Sequence, residues 1–409
     1  MKHTLRQILP TLLIFMLGGC VSSTMNHVDI KPSVSAAHEL RDEASFLDVG
    51  IRVFSVNIPE EGKNQESELD EILPAVRIAE SYYMPYTLKT VLEKSGNWGL
   101  VRVLPEEASP VDVNVLGTII KSDGADLELK IEVKDVTERR WFKKTYKLAA
   151  SKYNYSKYNE SKARAASVND PFVTLYTKIA DDILSHRLKL KEARIAEIRR
   201  LSSLRFAADF VPEIYGDYIK TNRKGHQSAT RLPAKNDPVY LNLTAIRDRE
   251  NMFVDILDQH YANFTEKMRV PYHDWRQYSY EEITAYKKLR GQSIRRGLLG
   301  VASIIGGIFA AGSNDAAARA AGQIAVVGGT IGIQNSIAKG NQAKIHLEGI
   351  KELGVGFEAN IEPQTLQLRD RIVTLSGSVE QQYATWRALL KEFYLNQIGT
   401  IPAQDAEGP

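Results

Sequence analysis

The chain has 409 residues, enough for two or three folded units that each bury a core. Hydrophobic residues make up 43% and charged residues 25%, an ordinary globular balance, and a net charge of +3 is too thin a surplus to imply a nucleic-acid partner. A single cysteine excludes any intrachain disulfide and leaves its own position to be explained.

Lys2, His3 and Arg6 open the chain, residues 8–17 are apolar apart from Pro10 and Thr11, and Leu17-Gly18-Gly19-Cys20 closes the run. A basic start, about ten apolar residues and small residues before a cleavage point make an export signal. The run is shorter than the about 20 residues a spanning helix needs. Leu17, Gly18, Gly19 and Cys20 resemble the lipobox of bacterial lipoproteins. The resemblance implies cleavage before Cys20, a diacylglycerol on its thiol, and membrane lipid as a partner through the acyl chains. Each buried CH₂ of such chains contributes about 0.8 kcal/mol. Val21, not Asp, follows the cysteine, which by resemblance to enterobacterial sorting implies the outer membrane and a periplasm-facing protein. Residues 1–19 then form the signal peptide and residues 20–45 a polar tether.

Residues 46–190 alternate strand and helix patterns. Leu47, Val49, Ile51 and Val53 recur at period two. Residues 74–95 carry helical spacing that Pro85 should kink or interrupt and Gly96 should end. Strands are expected at 99–104, 111–121, 127–136 and 140–148, with a hairpin turn at Ser122-Asp123-Gly124. Asn169-Asp170-Pro171 should open a helix. This order predicts an α/β sandwich within an α+β chain. Residues 95–106 and 111–146 resemble the domain shared by the curli secretion lipoprotein CsgG, the penicillin-binding-protein activator LpoB and the N-terminal part of TolB. The matching motifs run from Asp112 to Gly117 and from Asp135 to Trp141, with Arg139 where glycine is usual. The resemblance implies an assembly or interaction module. Gly117 and Trp141 also read simply as a bulge glycine and a core aromatic.

Residues 191–296 form a helical middle. The helix from Phe172 should continue through Ile195, Ile198 and Leu201, residues 216–240 read as a loop, and a helix at 244–268 precedes one that starts at Ser279 with Glu282 in capping-box spacing. Residues 297–340 are the unusual stretch, a glycine-rich apolar helical hairpin. Ala302-Gly306-Ala310, Ser303-Gly307-Ala311 and Gly328-Gly332-Ser336-Gly340 place small residues every fourth position, one helix face on which backbones approach closely. Each arm reaches about 26–29 Å against a bilayer core of about 30 Å. A membrane hairpin, a packed helix pair in a protein interior or homo-oligomer, and a mobile flap all stay open. Residues 341–400 predict a small strand-strand-strand-helix unit beginning at Leu353, Val355 and Phe357, and residues 401–409 a disordered tail.

No phosphate loop, zinc helix or nucleophile elbow is present. His260 and His273, beside Asp258 and Asp274, match no metal spacing, so no cofactor, metal or catalytic residue is expected. Tyr153, Tyr155 and Tyr158, interleaved with Lys152 and Lys157, offer rings for glycan stacking or a plain polar loop. The sequence therefore predicts a non-enzymatic outer-membrane lipoprotein of envelope assembly or export, with other envelope proteins as partners. A ring-forming export pore is the first alternative and an envelope hydrolase the second.

Overall fold

Apolar alternation seeds the sheet. β1 (Val49–Arg52) buries Val49 and Ile51, and Leu47 extends the period backward. It pairs in parallel with β2 (Val101–Leu104) on one side and β3 (Val113–Ser122) on the other. β4 (Asp126–Asp135) and β5 (Arg140–Ala149) complete an antiparallel meander, so the five-stranded mixed sheet runs β2-β1-β3-β4-β5. This computed structural model describes residues 46–58, 74–106, 108–109, 111–155, 170–234, 236–295, 349, 351–352, 355–356, 363–368 and 371–398, and the chain is of mixed α+β class.

Helices α1 (Pro74–Lys94) and α3 (Val173–Arg187) pack with the sheet residues Val113, Val115, Ile119, Leu129, Ile131 and Val133 in one core, while α2 (Lys152–Tyr155) is a single turn. Pro85 does not interrupt α1, contrary to expectation, and the reason is visible. A proline lacks the N–H that would bond the carbonyl four residues back. That carbonyl, on Ser81, instead accepts the Phe54 N–H at 3.0 Å, so the helix gives up one internal bond and gains a tie to the segment after β1. Gly96, at φ +64°, ends the helix as predicted.

Two other glycines are set by close approach. A Cβ on Gly117 would lie 2.3 Å from the buried Phe54 ring. Gly117 is thus the seat of that ring, whereas the irregularity in the β3–β4 register falls between Ile119 and Lys121. Gly124, at φ +81° in the predicted hairpin turn, faces the Arg276 carbonyl, which would stand 2.4 Å from an added Cβ. Asp123 completes the turn by accepting the Ala125 and Asp126 N–H groups.

The helical middle departs from the periodicity reading. α3 closes at Arg187, where Lys189 and Leu190 donate to carbonyls three residues back, and extended Lys191 restarts the chain into α4 (Glu192–Phe210). A short helix α5 (Pro212–Tyr215) precedes the expected loop, and a two-stranded ribbon, β6 (Ile219–Thr221) with β7 (Gln227–Ala229), occupies part of it. The next helix begins earlier than expected. Asp237 Oδ1 accepts the Val239 and Tyr240 N–H groups, capping a 58-residue α6 (Pro238–Arg295) with Pro238 in its first turn. At 1.5 Å per residue α6 extends about 87 Å. It passes through Pro271 and Ser279, so no new helix starts at Ser279.

From Leu243 to Trp275, α6 contributes to two cores in turn. Phe264, Met268, Tyr272 and Trp275 enter the core of the α/β unit. Leu243, Ile246, Phe253, Leu257 and Tyr261 enter a second core with α4 and with α7 (Val379–Ile398), which carries Tyr383, Trp386, Leu390 and Tyr394. A hairpin, β8 (Gln364–Leu368) with β9 (Arg371–Leu375), precedes α7. The third strand expected around Leu353, Val355 and Phe357 is not formed at Val355, which is helical with Gly356.

Candidate functional site

Cys20, its neighbours Leu17, Gly18 and Gly19, and the small-residue positions Gly306, Gly307, Gly328, Gly332 and Gly340 lie outside the described residues. Among the described residues no helix is long and apolar enough to cross a membrane, and no group of three or more potential ligands is placed to hold a metal ion. His260 contacts Gln364 at 3.0 Å, while His273 lies against the Tyr155 ring. Tyr153 and Tyr155 differ in exposure. Tyr153 is exposed, whereas Tyr155 is buried and donates its hydroxyl to the Gly124 carbonyl at 2.6 Å; Tyr158 lies outside the described residues.

The notable chemistry is a buried polar seam where α6 meets the other elements. Arg276 is 1% exposed. Its Nη1 donates to Asp170 Oδ2 at 2.8 Å, and its guanidinium carbon lies 3.7 Å from the Tyr272 ring centre and 5.1 Å from that of Phe172. Asp170 does not cap α3. It receives the Phe172 N–H on Oδ1 and spends Oδ2 on Arg276. One turn back along α6, Tyr272 donates to Glu80 Oε1 at 2.5 Å, which Ser122 Oγ also reaches at 2.5 Å, and Arg77 pairs with Oε2 at 3.2 Å. Burial raises the Glu80 carboxyl above its ordinary range, and Arg77 offsets only part of this. This cluster ties α1, β3, the start of α3 and α6 together.

Further along the seam, Arg102 of β2 makes a bidentate pair with Asp255 at 2.6 and 3.1 Å. Asp258 receives Lys89 of α1 at 3.1 Å and the Val103 N–H at 3.2 Å, so α6 covers the β2 edge of the sheet. Buried Glu250 accepts the Tyr383 hydroxyl and pairs with Arg387 at 3.0 Å, and Arg387 also reaches Asp209 and the Ser109 hydroxyl. Beside it a cleft of about 30 Å³, room for one water, is lined by Arg102, Ser109, Arg247, Glu250 and Asn251 among others.

The two motif segments singled out in the sequence serve the fold. Asp112 Oδ2 accepts the Asp48 N–H at 3.0 Å while Asp48 Oδ1 accepts the Leu100 N–H at 2.8 Å, so two carboxylates clip the entries of β1, β2 and β3. Asp135 accepts from the Thr137 N–H and hydroxyl, from Trp141 Nε1 at 3.1 Å and from Arg194 at 2.9 Å. Trp141 is a core aromatic as predicted, stacked on His186.

Burial pushes the Asp112 carboxyl up to about 6, with the Asp48 hydrogen bond countering only in part. The folded state then holds this proton more tightly than the unfolded chain. Stability contributed by the protonated form is full below the ordinary carboxylate range and is lost as pH rises towards 6. Asp112→Asn is expected to gain on the order of 2–3 kcal/mol over wild type at pH 8 and almost nothing at pH 4. Urea midpoints at the two pH values check this; an equal difference at both would remove the role given to the Asp112 proton.

None of Glu80, Arg276, Glu250 or Arg387 stood out in the sequence. A signal existed for Arg276, which continues the four-residue spacing of Phe264, Met268 and Tyr272 and so puts a charge on an apolar stripe. Chemically the seam can hold elements in register, since its buried charges face one another. No protein family, characterised protein or solved structure matches the chain.

Proposed function

We propose that the chain is an outer-membrane lipoprotein facing the periplasm, anchored by acyl chains on Cys20, that acts through contacts with other envelope proteins rather than by catalysis. The observation that carries this reading is the apolar run ending in Leu17-Gly18-Gly19-Cys20, with the chain's one cysteine at that point. The element order β1-α1-β2-β3-β4-β5-α3 supports a CsgG-like interaction module, in keeping with the motif pattern. Buried Asp170 pairs with Arg276 and buried Glu250 with Arg387, which favours a scaffold over a reaction centre. In this reading residues 297–340, directly after α6, add oligomer contacts or membrane insertion.

The test compares three proteins by carbonate and detergent extraction of membranes. They are wild type, a form whose residues 1–20 are replaced by a conventional cleavable export signal, and a lipidated form lacking residues 297–340. Wild type is expected in the membrane pellet and the signal-replaced form in the soluble fraction. If the signal-replaced form resists carbonate as wild type does, lipid on Cys20 is not the anchor. If only the deletion becomes extractable, residues 297–340 insert in the bilayer.

A further inference from the structure

β5 is the outer strand of the sheet, and among the described residues nothing hydrogen-bonds the main chain along its outer edge. The opposite edge strand, β2, is covered by α6 through Asp258 and Asp255. With respect to the described residues, this ten-residue strand thus presents a row of unpaired main-chain N–H and C=O groups, the template onto which an extended segment adds.

The side chains along this edge carry a consistent charge. Arg140, Lys143, Lys144 and Lys147 are 42–65% exposed at their side chains. Glu132 faces Lys134, Arg140 and Lys143 together, Asp182 of α3 faces Lys144 and Lys178, and Glu128 faces Lys147. Counting Asp181, which also acts on Lys178, four carboxylates therefore meet six cations. Burial alone would raise Glu132, yet Lys143, Arg140 and Lys134 outweigh it and hold the carboxyl below its ordinary value. Burial likewise works on Asp182, and Lys144 and Lys178 overcome it. Exposed pairs of this kind contribute about 0–1 kcal/mol each, so the cations can change partners at little cost.

We infer that the β5 edge is a docking site for an extended acidic polypeptide segment, which adds to the sheet as a sixth strand and takes the surplus cations with its carboxylates. Two other occupants fit less well. A second copy pairing β5 with β5 would set lysines against lysines, which is destabilising. An anionic lipid surface would use the cations but leave the row of main-chain groups unmatched. The lysines thus guard the edge against self-pairing and select for acidic sequence. This inference goes beyond the lipoprotein reading and holds whether or not Cys20 is acylated.

The probe is an amidated decapeptide of alternating Glu and Val, added to the full-length protein in detergent. Comparators are the Lys–Val decapeptide, a Glu–Val decapeptide with a central proline, and phosphatidylglycerol vesicles. Hydrogen exchange over residues 140–149 reports the site. The Glu–Val peptide is expected to bind, to slow exchange in β5, and to weaken as salt rises. Lys143→Glu with Lys147→Glu is expected to cost at least tenfold in affinity, as is the proline in the peptide. Thr145→Pro, checked for folding by circular dichroism, should lose binding through the main chain alone. The inference is overturned if the Glu–Val peptide does not slow β5 exchange at millimolar concentration or if the Lys–Val peptide binds equally. Binding to vesicles alone would also overturn it and assign the cations to headgroups.

Discussion

Replacing Arg276 by methionine is expected to lower the unfolding free energy by about 3–5 kcal/mol, the usual cost of removing one partner from a buried ion pair. Methionine keeps much of the apolar stem, so the loss isolates the charge. Asp170 stays buried, with Phe172 N–H as its remaining donor, and Tyr272 loses the cation over its ring. The same seam seats the hairpin turn at Gly124 and the Tyr272–Glu80 bond, so loosening α6 here reaches both β3 and α1. Urea unfolding followed by tryptophan fluorescence measures the effect. Adding Asp170→Asn should restore a substantial part of it, because the stranded carboxylate is then gone. A loss below about 1 kcal/mol, or no recovery in the double variant, would show that the pair does not secure the seam.

Arg387→Ala is expected to cost about 3 kcal/mol near neutral pH, and the deficit should shrink as pH falls. Arg387 is the main opposing charge to the burial that raises the Glu250 carboxyl. Without it the folded-state value rises further above the unfolded one, so the protonated carboxyl becomes the form compatible with folding. Stability of the variant relative to wild type then recovers as pH drops from the raised value towards the ordinary carboxylate range. Urea midpoints of both proteins at pH 5 and pH 8 provide the comparison. A pH-independent gap would assign the loss to the arginine stem and its place over the Phe210 ring, 5.2 Å away, rather than to Glu250.

These effects bear on how far the residues alone disclose the structure. The sheet was legible because its signals are local: apolar residues at period two in and around β1, Asp123-Gly124 in the hairpin, Gly96 after α1. The departures are places where a distant partner decides. Pro85 stays helical because Phe54 takes the carbonyl it frees. α6 passes through Ser279 despite the capping-box spacing there: its apolar stripe lies along two cores as far as Trp275, and Ile283 is buried beyond it. Gly117 looks like a bulge residue until the Phe54 ring is found on it. The polar seam was illegible for the same reason, since Glu80 and Tyr272 are 192 positions apart.

Motif and chemistry also separate here. Asp112 and Asp135 stood out by pattern, and each is occupied in fixing strand entries or the β4–β5 turn. Functional interest moves elsewhere: the lipid proposed for Cys20, residues 297–340 and the β5 edge. Of these the lipid carries the proposal. The most direct measurement is the mass of the N-terminal peptide of the protein extracted from membranes. The account predicts a peptide beginning at Cys20 and carrying a diacylglycerol on its sulfur, with no peptide from residues 1–19. A peptide retaining Met1, or an unmodified cysteine, would contradict it.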